Sequence, residues 1–342
     1  MSFLDLRKNK KWALQAPYSD RSLIRDVLIY DLAQEYFDYA PQARLCELIL
    51  NGQYYGVYFL SELVKGMKLK KPGDAGDELT GGYIIEMETP PQSDIGYLSQ
   101  NWNIKYHYKK PDDDITEIQK TYINSVIFNM EKVFLQNDFE EICKIIDIES
   151  FIDYQLFSEF THNNDAYSRS VYFYKERDSK GGLIKMTLWD FNLSLGNSNY
   201  RDAWKTDTWR IYDDPTRVLL NGERDSLHYF WGRLTVHKEY RNKLVERWNE
   251  YRSGSFSDEN IISKIDSLYT SLTVCGAEER NGIAWNIWDI YAGKGLVRPK
   301  YIWPNKYVSS SYDDEISYLK KWIIERLNWI DNNIETIYKG TE

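Results

Sequence analysis

Two apolar runs of strand length, SVYFYKE (170–176) and GGLIKMTLWD (181–190), are separated only by the polar loop around Lys180-Gly181-Gly182, and the second runs straight into Asp190-Phe191-Asn192. Ahead of them IESFIDYQLFSEFTH (148–162) has the composition of a helix and leads into NNDAYSRS (163–170). This order restricts the chain severely. If the two strands pair, the loop after the helix and the end of the second strand arrive at the same edge, so Asp165 and Asp190 face one cavity. Read as the end of a strand, Asp190 and Asn192 share a face. Oxygen ligands paired there suit a hard cation such as Mg²⁺. Phosphoryl transfer needs such a pair of acids: one carboxylate to orient or deprotonate the attacking hydroxyl, another to hold Mg²⁺ against nucleotide phosphates. Asp165 is the expected base and Asp190 the expected metal ligand, each set against a plainer reading as a turn-capping acid.

Upstream, YSDRSLIRDVLIYDLAQEYF (18–37) begins with candidate N-caps Ser19 and Asp20 and repeats apolar residues at Leu23, Val27, Tyr30 and Ala33, which predicts a helix. In ARLCELILNGQYYGVYFLSEL (43–63) the Asn51-Gly52 pair sits between two β-rich runs and predicts a hairpin. TGGYIIEME (80–88) and NWNIKYHYKK (101–110) read as further strands, the latter with Trp102, Ile104, Tyr106 and Tyr108 on one face. Glu86 and Glu88 alternate with Ile85 and Met87 and are expected on the solvent side. After PDDD, whose acids suit a helix N-terminus, Ile115, Ile118, Tyr122, Val126, Met130 and Val133 follow helical spacing. Helices are also expected at 238–251, 257–273 and 313–331, the last with Ile316, Leu319, Ile323, Leu327 and Ile330 on one stripe. No internal repeat or low-complexity segment is present.

A chain of 342 residues that is 42% hydrophobic can bury a large core. Its net charge of −9, with Lys and Arg dispersed, argues against nucleic acid as a partner. Cys46, Cys143 and Cys275 lie far apart in apolar surroundings and are expected to be buried free thiols. The four histidines lack metal-ligand spacing, and His162 is expected to be structural. Hydrolase, zincin and P-loop motifs do not occur. No window approaches the roughly 20 apolar residues that span a bilayer, and the first residues lack a signal-peptide core. The compartment stays open: outside the cell if an export signal has been removed, otherwise cytoplasmic.

The stretches WALQAPYSDRSLIRDVLIYDLA (12–33), ELILNGQYYGVYFLSE (47–62), GGYIIEME (81–88), NNDAYSRSVYFYK (163–175) and LWDFNLSLGN (188–197) together resemble the spore coat protein H-like (CotH) kinases. RW at 247–248, WPN at 303–305 and RLNWID at 326–331 extend the resemblance over most of residues 10–335. It implies an α+β, bilobal, atypical protein-kinase-like fold, with a small β-rich lobe over 1–110 and a mainly helical lobe over 111–342. It also implies ATP- and Mg-dependent phosphorylation of Ser or Thr on a surface or coat protein, with Asp165 in the catalytic-loop position and Asp190 in the metal-binding position. Glu62 matches a recurrent glutamate of the family. It is expected to touch nucleotide, or to pair with Lys65 or Lys68, against the plainer reading of a solvated strand-end charge. Ser170 stands where some members have a metal-binding Asn, and Asn192 is expected to supply the second oxygen. Family members usually carry a phosphate-covering loop and a nucleotide-binding lysine ahead of the WALQAPYSD stretch. This sequence is expected to lack them, which gives weight to two alternatives: a non-catalytic scaffold, or a carbohydrate-binding protein using some of its 12 Trp and 28 Tyr.

Overall fold

Asn51 and Gly52 both take left-handed backbone (φ 52° and 78°), the conformation of a type I′ turn, and they join strands β2 (Ala43–Leu50) and β3 (Gln53–Glu62) into the expected hairpin. Strand β1 (Trp12–Gln15) adds to the other side of β3, giving a three-stranded sheet in the order β1-β3-β2. The computed structural model describes residues 4–88, 95–212, 230–288 and 301–338 in full, and the backbone of 219–220 and 223–224.

A second sheet has the order β5-β6-β4-β7-β8, with β4 Tyr83–Glu88, β5 Gly96–Leu98, β6 Lys105–Lys110, β7 Val171–Lys175 and β8 Ile184–Thr187. All its pairings are antiparallel, and β4 lies between β6 and β7. Backbone hydrogen bonds therefore join strands from both sides of residue 110. The helices are α1 Arg25–Ala33, α2 Gly76–Leu79, α3 Glu117–Gln136, α4 Phe139–Cys143, α5 Ile148–Thr161, α6 Trp231–Leu234, α7 Lys238–Ser253, α8 Asp258–Thr273, α9 Ala277–Trp285 and α10 Tyr312–Asn333. The chain is α+β, and none of the described helices is long and apolar enough to cross a membrane.

Local chemistry sets the boundaries. Helix α3 starts after Thr116, which forms a capping box with Gln119, and not in the acids at 112–114, because a side-chain cap satisfies amide donors that a diffuse charge does not. Strand β6 starts at Lys105 and not at Asn101. Ser99 Oγ accepts the amides of Trp102 (3.3 Å) and Ile104 (3.2 Å) and ties 99–104 into a turn, yet Trp102, Ile104, Tyr106 and Tyr108 are all buried as their alternation required. Helix α10 is capped by Ser311, has three acids in its first turn, and buries the expected stripe from Ile316 to Ile330. Helix α5 is buried without interruption from Phe151 to Thr161, the pattern of a helix enclosed on every side. It passes through a core shared with α1, α10 and the second sheet. The cysteines depart from expectation: all three are free, but Cys46 and Cys143 are half-buried and Cys275 is exposed. Beside Cys46 and Cys143 it is Leu45 and Ile142 that take the core position, whereas Cys275 follows exposed Val274 just past the end of α8.

Candidate functional site

Helix α5 stops where His162 turns left-handed (φ 47°), and the chain folds back through Asn163 to Ser170 into β7. This loop is tightly held. Asp165 N–H donates to Asn163 Oδ1 (3.2 Å), and Asp165 O accepts the amides of Ser168 (3.2 Å) and Arg169 (2.9 Å). The buried guanidinium of Arg210 donates to Asn163 O (2.8 Å) and Asn164 O (2.7 Å). Glu159 on α5 accepts Tyr167 Oη (2.7 Å) and the Arg210 amide (2.6 Å). Those contacts fix the loop backbone, so the Asp165 carboxylate projects from a rigid base.

The second half of the site is clamped from α1. Strand β8 ends at Thr187, and Asp190 itself is left-handed (φ 65°), so the alternation expected to place Asp190 and Asn192 on one face does not extend that far. Tyr30 Oη accepts Asp190 N–H (3.1 Å), Asp26 Oδ1 accepts Phe191 N–H (2.7 Å), and Asn163 Nδ2 donates to Asp190 O (2.9 Å). The Tyr30 ring stacks on Trp189 and meets Phe191 edge-on. Left-handed backbone is costly for an aspartate, and these bonds hold it in place.

Between the two turns lies a polar cavity of about 320 Å³. Its acids are Asp165, Asp190, Glu86 and Glu88, its cations are Lys109 and Arg169, and His107 and Ser170 complete the wall. Glu86 and Glu88 are only 9% exposed, which corrects the expectation that they face solvent. Pairing with β6 on one side and β7 on the other turns their face of β4 inward. Lys109 Nζ bridges to Glu86 (2.9 Å), and Ser170 N–H donates to Glu88 Oε2 (3.1 Å). Asn192 does not line the cavity; its backbone N–H donates to the Asp190 carboxylate.

Burial first, then the charge of Asp165 and more weakly that of Glu86, pushes the Asp190 carboxyl up from 3.8 to about 6, against the opposing Asn192 N–H. Burial also raises Glu88. Burial followed by the charge of Asp190 raises Asp26 well above the usual carboxylate range. A carboxyl with a raised folded-state pKa contributes stability that is fully present below its unfolded pKa and is lost as pH rises through the folded value. Metal-free protein is therefore expected to lose thermal stability relative to Asp190→Asn between pH 3.8 and about 6. Added Mg²⁺ should recover that loss above the window, and parallel melting curves of the two proteins from pH 4 to 8 check both statements.

The donor set fits such an ion. Among the described residues no three acidic, histidine or cysteine groups form a ready-made cage. Mg²⁺ commonly keeps several waters and takes only one or two carboxylates together with substrate phosphates. Asp190 supplies that minimum, and its repulsion with Asp165 is what a cation would relieve.

The other expected site residues are dispersed. Glu62 is 3% exposed and pairs with neither Lys65 nor Lys68, because Arg7 reaches it with Nε (3.0 Å) and Nη2 (2.5 Å) and the Gln42 amide adds a third bond (3.1 Å). The solvated strand-end reading of Glu62 is thereby overturned. Lys65 pairs with Asp112 (3.4 Å) and lines a separate cleft of about 590 Å³, together with Lys10, Lys11, Lys71 and Lys110. Asp112, Asp113 and Asp114 line it too, Asp114 paired with Lys71, and Lys109 lines both this cleft and the acidic cavity, so the two adjoin. Lys68 is exposed and lines neither.

A family model described as CotH kinase protein matches residues 2–330. Inner spore coat protein H of Bacillus subtilis (strain 168) is 25% identical over 268 residues, covering 75% of this chain and 66% of that protein.

Proposed function

Because the chain belongs to the CotH kinase family, we propose that it transfers the γ-phosphoryl group of Mg·ATP to a Ser or Thr hydroxyl of a protein. The observation that carries this reading is the meeting of Asp165 and Asp190 in one polar cavity that adjoins a lysine-lined cleft. Asp165 accepts the proton of the attacking hydroxyl as its oxygen bonds to phosphorus and the bond to the ADP oxygen breaks. Asp190 would hold Mg²⁺, which would offset phosphate charge, while Asp165 takes the proton. Lys109 and Arg169 bring positive charge to the transferred group, and Lys65 serves the rest of the phosphate chain along the cleft. Basic residues ahead of Trp12 are thus available to the nucleotide, since Lys10 and Lys11 line the same cleft. We read residues 1–110 and 111–342 as the two lobes of a kinase-like arrangement that share the second sheet. The relative's spore-coat name supports a coat or surface protein as the acceptor.

Titration of ATP into the purified chain with and without Mg²⁺ tests the proposal. Magnesium-dependent binding supports it, and no detectable binding at millimolar nucleotide overturns it. In that case the scaffold reading stands, which Ser170 favours because a hydroxyl is a weaker metal ligand than an amide oxygen.

The clamp on the Asp190 turn gives a further expectation. Asp26→Ala removes the acceptor of Phe191 N–H, and loss of a group that orients a metal ligand typically weakens metal binding about 10-fold or more. The magnesium dependence of ATP binding should shift by that factor, whereas Asp26→Asn keeps an acceptor oxygen and should stay near wild type.

A further inference from the structure

A second pocket lies on the three-stranded sheet and shares no lining residue with either the acidic cavity or the lysine cleft. It is walled by the loop between β1 and α1, by Tyr55, Val57 and Tyr58 of β3, and by Asn281 and Trp285 of α9, and it encloses about 150 Å³. That is roughly the size of an apolar cavity that accepts one benzene ring. The walls are preformed. Asn281 Oδ1 accepts Val57 N–H (2.9 Å) and Trp285 Nε1 donates to Tyr55 O (2.9 Å), across a gap where Gly56 (φ 103°) leaves no room for a Cβ. Tyr18 and Trp285 at the rim are 75% and 50% exposed, so an unusually large aromatic area stays in water.

One wall of this pocket is Arg21, which is 2% exposed. Its Nη1 donates to Ser309 O (3.1 Å) and its guanidinium lies over the Trp288 ring, but the enclosed Nε and Nη2 have no hydrogen-bond partner among the described residues. The nearby acids, Asp20 on the pocket wall and Glu315, make their hydrogen bonds elsewhere, although the charge of Glu315 still acts on Arg21. Asp20 accepts Ser22 N–H (2.9 Å), Ser22 Oγ (2.6 Å) and Arg25 N–H (2.9 Å) and is ion-paired to Arg25, while Glu315 also pairs with Arg25 (3.0 Å). Buried guanidinium nitrogens without partners are costly, and a folded protein rarely keeps them without a use. Nε and Nη2 form one edge of the guanidinium, the edge that takes a planar carboxylate through two parallel bonds.

We propose that this pocket binds an aromatic carboxylate, its ring between Tyr18, Tyr55 and Trp285 and its carboxylate facing Arg21, whose enclosed Nε/Nη2 edge it reaches once the wall side chains shift. The charged end and the single-ring volume define the ligand class: a free arylacetate-like acid, or the C-terminal aromatic residue of a peptide. Neither depends on phosphoryl transfer.

Calorimetric titration of phenylacetate, N-acetylphenylalanine and phenethylamine into the full chain tests this. At least one acid should bind in the millimolar range or tighter, and the amine should not. Tighter binding of N-acetylphenylalanine assigns a chain terminus, and tighter binding of phenylacetate assigns a free acid. Arg21→Met should weaken the acid about tenfold, in keeping with the loss of charge-assisted bonds. Trp285→Ala, a change at the exposed rim, should weaken it as well and serves as the test if the buried Arg21 substitution fails to fold. The proposal is overturned if neither acid binds by ~10 mM, a weak limit on the affinity scale, if the amine binds as well as the acids, or if a folded Arg21→Met or Trp285→Ala protein binds the acid unchanged. Mg·ATP should leave phenylacetate affinity unaltered, so failure here is separable from failure of the kinase reading.

Discussion

Asp190→Ala is expected to cut phosphoryl transfer about 10³-fold and to abolish the magnesium dependence of ATP binding, while the chain remains folded at neutral pH. The size of the kinetic effect follows from removing the carboxylate that holds the ion against developing phosphate charge. Retention of the fold follows from the site's own electrostatics. The side chain faces a cavity whose other acids, Asp165 and Glu86, disfavour its charge, so its removal relieves repulsion. Apart from the Asn192 amide, which bonds the carboxylate, the turn is held through backbone groups, since Tyr30, Asp26 and Asn163 bond the main chain of residues 190 and 191. Asp165→Asn separates the two roles. It should retain ATP binding and lose transfer, because an amide cannot accept the acceptor hydroxyl's proton. Transfer of labelled phosphate from ATP, measured beside thermal melting, decides the matter. Wild-type transfer rates in Asp190→Ala would remove Asp190 from the mechanism.

Much of this frame is legible in local sequence, and the parts that are not depend on distant pairing. Asn51-Gly52 marks its hairpin because a type I′ turn asks for those residues, and the stripe from Ile316 to Ile330 needs only helical spacing. The meeting of Asp165 with Asp190 follows from the order of one helix and two short strands. Glu86 and Glu88 were not readable as site residues, because alternation says that they share a face but not which face is covered. That is decided by strands β6 and β7, the latter more than 80 positions downstream. Glu62 has the same difficulty, its partner Arg7 lying 55 positions upstream. Asp26 does carry a local sign. It falls three residues after Leu23, next to Val27, within the apolar stripe of α1, and an acid on a buried helix face calls for a specific partner. Arg210 gave no comparable local sign, since its role is to donate to carbonyls of a loop formed elsewhere.

The largest stability effect is expected from Arg326→Met, with a loss on the order of 3–5 kcal/mol, the range for breaking a buried ion pair from one side. Arg326 is fully buried on α10 and ion-paired with Glu159 (3.6 Å). Its Nε (3.0 Å) and Nη2 (2.6 Å) donate to Glu159 O at the end of α5, and Nη1 donates to Thr206 O (2.9 Å) and Thr208 O (2.5 Å). The guanidinium also lies over the rings of Trp209 and Trp329. Methionine keeps much of the stem's volume but supplies no donor, so three carbonyls each lose a charged donor and the buried Glu159 carboxylate, still bonded to Tyr167 and to the Arg210 and Ile211 amides, loses its counter-charge. Burial already works against the charge of Glu159 and raises its pKa, and losing Arg326 pushes it further the same way. The variant should therefore lose more stability as pH rises from 5 to 8 than the wild type does, because the carboxylate must ionise without its counter-charge. Since Glu159 also anchors Tyr167 and the Arg210 amide, the damage should reach the Asp165 loop and appear as weaker ATP binding before global unfolding. Urea unfolding at the two pH values, with the slope unchanged and the midpoint lowered, checks the stability claim. An unfolding free energy within about 1 kcal/mol of wild type would show that this buried ion pair contributes little net stability, as replacement of such pairs by apolar side chains sometimes does.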